Sequence, residues 1–166
     1  MRFLNSLFLV SIACAAFAAD SITLTGEDDA KGGKRLGAWM AANDFDATTL
    51  ESNSVRVKGK VLSAVLTTNL TKDGLDRILV MAFFGVKDEA KTAETLPALT
   101  AMVMSLNARS NIGCFSLDND HDLVLQSQLT FVDTLDRDVL EKFLTWFDTS
   151  AFVLLTKDKD ASAMLK

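Results

Sequence analysis

The segment RILVMAFFGV, Arg77–Val86, is apolar on both of the sides that a strand presents. Leu79, Met81 and Phe83 share one parity, and Ile78, Val80, Ala82 and Phe84 share the other. An antiparallel strand with one wet face alternates apolar and polar residues, so this one calls for cover on both sides. VLSAVL, Val61–Leu66, has a similar character. Cover comes from helices of the same chain or from a second molecule, and either hides apolar area worth ~25 cal/mol per Å2. The expectation is partial cover by the second of three helices, completed by a dimer contact.

The neighbouring segments supply those helices. Leu36, Trp39 and Met40 stand at helical spacing in LGAWMAANDF, which predicts a first helix over 36–45. Val55 and Val57 alternate ahead of Gly59, and Val61–Thr68 is β-branched and apolar, so two strands precede the turn signal Asp73-Gly74. Thr95 as N-cap and Pro97 in the first turn open a second helix, with Leu96, Leu99, Met102, Val103 and Leu106 on one face. In the third helix, capped by Thr134, Val139, Leu140, Phe143, Leu144 and Phe147 form the apolar side. Glu141, Lys142, Thr145 and Asp148 form its wet side, and the charged tail 156–166 reads as frayed or as a short docked helix.

Between these last two helices, GCFSL and LVLQSQLTF form a hairpin. Leu123, Leu125, Leu129 and Phe131 alternate with Val124, Gln126, Gln128 and Thr130. The connecting residues Asp118–Asp122 surround His121, the single histidine of the chain. Asp and Asn accept left-handed backbone geometry and cap their own turns, so a tight exposed loop accounts for the cluster. Asp118, Asp120 and Asp122 match the first, third and fifth ligand positions of an EF-hand, but Leu123 stands where Gly is required and Leu129 where Glu is required. No metal site and no catalytic site is therefore assigned.

A chain of 166 residues, 49% of them hydrophobic, is long enough for one domain with a real core. The net charge of -5 argues against nucleic acid, and KGGKR, Lys31–Arg35, reads as a solvated entry loop within a polar segment 19–35.

The first 18 residues carry Arg2, an apolar run Phe3–Phe17, and Ala16 and Ala18 at the positions preceding a cleavage before Ala19. This predicts a signal peptide and a periplasmic or secreted mature protein without a membrane span. Lipid attachment at Cys14 is disfavoured, since Ser11 stands where lipobox sequences carry Leu. Cleavage leaves Cys114 as a lone thiol, which excludes an internal disulfide. A nucleophilic thiol would need His121 as its base.

The predicted order, α-β-β-β-α-β-β-α, is an α+β fold with an antiparallel sheet packed against helices. The run LNARSNIG followed by CFSLDNDHDLVLQSQL, with Asn107, Gly113, Phe115, Leu117, Asp118, Asp120, Asp122, Leu123 and Val124, resembles the YbjN-type family of bacterial sensory-transduction regulators. That family's fold is similar to class I type III secretion chaperones. The resemblance covers 36–155, and His121 replaces the glycine usual in the family. It implies a non-enzymatic domain without a cofactor that associates with itself or with a protein partner. A secretion chaperone works in the cytosol, so the signal peptide argues against carrying that role over. Met102, Val103, Leu106 and Phe84 are the expected interaction surface on the second helix and sheet. The competing reading is a small-molecule or metal-binding domain built on Cys114, His121 and the aspartates of 118–122.

Overall fold

The computed structural model describes residues 19–71 and 75–166. The predicted signal peptide, Cys14 and the Asp73-Gly74 turn lie outside the described residues. The elements are β1 (Ser21–Thr23), α1 (Asp29–Ala42), β2 (Ala47–Thr49), β3 (Val55–Lys58), β4 (Ser63–Asn69) and β5 (Asp76–Phe84). A 3₁₀ turn at Asp88–Ala90 leads to α2 (Leu96–Arg109), β6 (Cys114–Leu117), β7 (Leu123–Phe131), β8 (Thr134–Asp136), α3 (Arg137–Lys157) and α4 (Lys159–Met164). The fold is α+β. Six strands form an antiparallel sheet in the order β2-β3-β4-β5-β7-β6, and β1 pairs with β8 in a separate two-stranded ribbon.

Ile78, Val80 and Ala82 of β5 join Leu66, Leu125 and Phe115 in one core with Leu36 and Met40 of α1, Leu99, Met102 and Leu106 of α2, and Leu140 and Phe147 of α3. All three long helices thus contribute to the cover of the same side of the sheet.

Several sequence expectations are corrected. The first helix begins at Asp29, where the Asp28 carboxylate accepts from the Lys31 N–H (2.8 Å) and caps it. Lys31–Arg35 is therefore helix and not an entry loop. Its glycines allow close packing: a Cβ on Gly33 would stand 1.9 Å from the Asn53 carbonyl oxygen. Thr134 caps nothing; it pairs with Thr23 in the small ribbon, and Asp136 takes the N-cap position of α3 without a side-chain cap bond.

The tail docks. Asp158 accepts from the Ala161 N–H (2.7 Å) to start α4, Ala161 is buried, and the Lys166 N–H donates to the Gly85 carbonyl (2.8 Å).

Asp148, expected on the wet side of α3, is buried. Its carboxylate accepts from the amides of Lys60 (3.1 Å), Val61 (3.2 Å) and Leu62 (2.7 Å), fastening the β3–β4 turn to the helix. Burial of the carboxylate is tolerated because these N–H groups replace its water.

Candidate functional site

Register places side chains on the side of the sheet opposite the helices. In β5 these are Arg77, Leu79, Met81 and Phe83, the parity that alternates with the buried Ile78, Val80 and Ala82. Met81 is flanked by Val65 of β4 and Gln126 of β7, and Phe83 pairs with Val124. Leu79 lies between Thr67 and Gln128. Phe83 is 54% exposed, and Leu79 and Met81 are half-buried. Val124, although buried, is not part of the core beneath the helices. The second helix therefore does not cover this side, contrary to expectation, and among the described residues the apolar stripe on β5 stands open.

Polar residues border the stripe. Arg56 pairs with Val65, and Lys58 shares its parity, so the β3 side is cationic. Arg77 at the start of β5 adds a third cation. On the other side stand Gln126, Gln128 and, on β6, Ser116 and the exposed Cys114. Among the described residues that the six strands turn to this side, none is acidic. Just before β2, the exposed Asp46 stands opposite Lys58, whose N–H donates to the Asp46 carbonyl (2.9 Å), and past β6 the Asp118 carboxylate is turned onto the amides of Asp120 and Asp122 (both 2.9 Å).

The sheet edges are less available than its face. At the β6 edge the Phe115 N–H donates to Asn107 Oδ1 (2.7 Å), and Asn107 Nδ2 donates to the Phe115 carbonyl (2.9 Å). The carboxamide thus takes up one residue's outward hydrogen-bonding groups as an added strand would. At the opposite edge β2 has only three residues.

The surface expected from the sequence is corrected on two residues. Met102 and Leu106 are core side chains, 1% and 0% exposed, because the apolar face of α2 packs inward. Val103 and Phe84 are partly buried against the same core. Arg56, Lys58, Leu79, Met81 and Phe83 were missed as a site. The parity of β3 and β5 carried the signal, but the register that brings them together did not show in the sequence.

The acidic stretch is a turn, as expected. The Asp118 N–H donates to the Asp122 carbonyl (3.0 Å), and His121 adopts a left-handed conformation with φ of 59°. Asp122 reaches out of the hairpin to the segment after β5, accepting from the Val86 N–H (2.7 Å) and pairing with Lys91 (2.6 Å). The Lys91 ammonium and then the Val86 amide hold the Asp122 carboxyl below the usual carboxylate range, and Asp122 in turn raises Lys91. Among the described residues no group of three His, Cys, Asp or Glu side chains is arranged to hold a metal.

A cleft of about 350 Å3 lies across the sheet from this hairpin, between the β3–β4 turn and α3. Val57, Leu62, Ala64, Leu144 and Phe147 line it together with Asp148. Cys114, His121 and the turn aspartates take no part in it. Among the described residues no helix is long and apolar enough to cross a membrane.

Comparison with known proteins bears on the whole fold. A family model described as "Putative bacterial sensory transduction regulator", YbjN, matches residues 33–151. A solved structure described as "Crystal structure of YbjN, a putative transcription regulator from E. coli" is similar with a TM-score of 0.52 and 18% identity, covering 80% of this chain and 93% of that one. Identity at that level carries the fold and not the role. No curated protein matches the chain. By the extent of the family match, together with the hairpin and helices it spans, the chain belongs to the YbjN family.

Proposed function

We propose that this protein is a non-enzymatic regulatory domain that is exported from the cytoplasm and binds a protein partner through the open face of its sheet. One observation carries the reading: the central strand presents Leu79, Met81 and Phe83 on a side that, among the described residues, no helix covers. Open apolar area of this kind, rimmed by polar residues, marks interaction surfaces in soluble proteins. The signal-like segment at 1–18 supports export.

Cys114 lies on the same face and is exposed, so it offers a natural attachment point for a photo-cross-linker. A Cys14→Ser chain labelled there and returned to intact cell envelopes is expected to form a discrete protein adduct. The Phe83→Asp variant is expected to lose it. An adduct of twice the protein's own mass would mean that the face takes a second copy. Adducts unchanged by Phe83→Asp would place the binding surface elsewhere. Export is checked separately, by a mature mass beginning at Ala19 in the periplasmic or secreted fraction.

A further inference from the structure

We propose that the open face takes an acidic amphipathic helix of the partner, with its apolar side on Leu79, Met81 and Phe83 and its carboxylates toward Arg56, Lys58 and Arg77. This rests on the reading of that face as a docking surface.

Charge is the first argument. The chain as a whole has 22 acidic and 17 basic residues, yet this face carries three cations on its strands and, of carboxylates, only Asp46 at the margin beside Lys58. Such segregation within an acidic protein is the complement of an acidic partner. A second copy is a poorer occupant, because the same face turned on itself sets three cations against three and offers them only Asp46 at its margin.

Backbone geometry is the second argument. A partner strand would need a free edge, but Asn107 occupies the outward groups of Phe115 on β6, and β2 is three residues long. A helix laid on the face needs no edge. From β4 across β5 to β7 the sheet spans about 10 Å, close to the ~10–12 Å diameter of a helix. An anionic membrane is disfavoured, since Leu79 and Met81 are half-sunk between their neighbours and the net charge of -5 repels such a surface.

The test uses two designed 18-residue helical peptides with identical leucine faces, one flanked by glutamates and the other by lysines. Amide and methyl NMR shifts of the labelled full chain locate binding, and fluorescence gives affinity. The glutamate peptide is expected to shift Leu79, Met81, Phe83 and Val124 and to bind about tenfold tighter than the lysine peptide at low salt. That preference should largely vanish at 1 M salt, where the screening length is ~3 Å. Arg56→Glu with Lys58→Glu, both at exposed positions, should reverse it. Equal affinities on this face would overturn the acidic partner and leave the docking surface standing. Shifts confined to another surface, or none with either peptide, would overturn both. Binding of phosphatidylglycerol vesicles to the face in preference to the glutamate peptide would overturn the peptide assignment in favour of a membrane.

Discussion

The carboxamide of Asn107 holds the main chain of Phe115 at both its N–H and its carbonyl, at 2.7 and 2.9 Å, so that a helix residue closes one edge position of the sheet. This joins α2 to β6 by a pair of side-chain-to-main-chain hydrogen bonds as well as by apolar contact. It also disfavours strand addition there, which leaves the open face as the surface where a partner gains most.

Asn107→Ala is expected to destabilise the chain by about 1–3 kcal/mol, since it leaves two edge groups without their partner. Asn107→Asp should fall between, keeping the acceptor for the Phe115 N–H while setting an oxygen against the Phe115 carbonyl. Urea midpoints measure both. Two midpoints equal to wild type would show that solvent serves the edge equally well.

Asp148→Ala strips the acceptor from the amides of Lys60, Val61 and Leu62. At about 1 kcal/mol per amide the loss should approach ~3 kcal/mol. Asp148→Asn, which retains one carbonyl oxygen, should lose less. Amide exchange at positions 60 to 62 should accelerate in the alanine variant beyond the global change, because the β3–β4 turn is released first. Uniform acceleration would mean that the turn is held by other contacts.

The α+β class and the order of the three long helices and the longer strands were legible in the sequence, while the short strands and the buried polar anchors were not, for physical reasons. The alternation of Leu123–Phe131 spans nine residues and identifies β7 unaided, while β1, β2 and β8 have three residues each, too few to show a period. Their pairing is also non-local, Ser21 with Asp136 being the extreme case. The glycines at 32 and 33 weaken α1 by propensity, and only the close approach of the Leu70 side chain at Gly32 and of the Asn53 carbonyl at Gly33 explains them. Asp148 falls at a polar position of α3, and its burial depends on a turn almost 90 residues earlier. Both parities of β5 are apolar, so periodicity could not tell which side the helices would choose.

Acid stability should report the Asp122–Lys91 pair. Because the folded-state pKa of Asp122 is depressed, its contribution is present above the unfolded carboxylate value, ~3.9, and is lost as pH falls through the folded value. Lys91 has the opposite sign: its raised pKa gives stability that is full below ~10.4 and is lost as pH rises through the folded value. The difference in urea midpoint between wild type and Asp122→Asn should be steady from pH 5 to pH 9 and shrink toward both extremes. A difference unchanged at pH 2 would contradict the pairing.

His121 occupies a left-handed position, which disfavours a side chain with a Cβ by roughly 1 kcal/mol. His121→Gly should therefore leave stability unchanged or raise it by up to about 1 kcal/mol. Thermal unfolding with and without added zinc or calcium checks this. A metal-dependent rise in wild type that His121→Gly abolishes would restore the metal-binding alternative.

The central claim is that the described helices cover the sheet on one side only, and solvent paramagnetic relaxation by a soluble gadolinium chelate tests it residue by residue along β5. Dilute wild-type protein should show strong relaxation of Leu79, Met81 and Phe83 side-chain signals and weak relaxation of Ile78, Val80 and Ala82. Equal protection of both sets would mean that something covers the face in the free protein, and the account would be wrong.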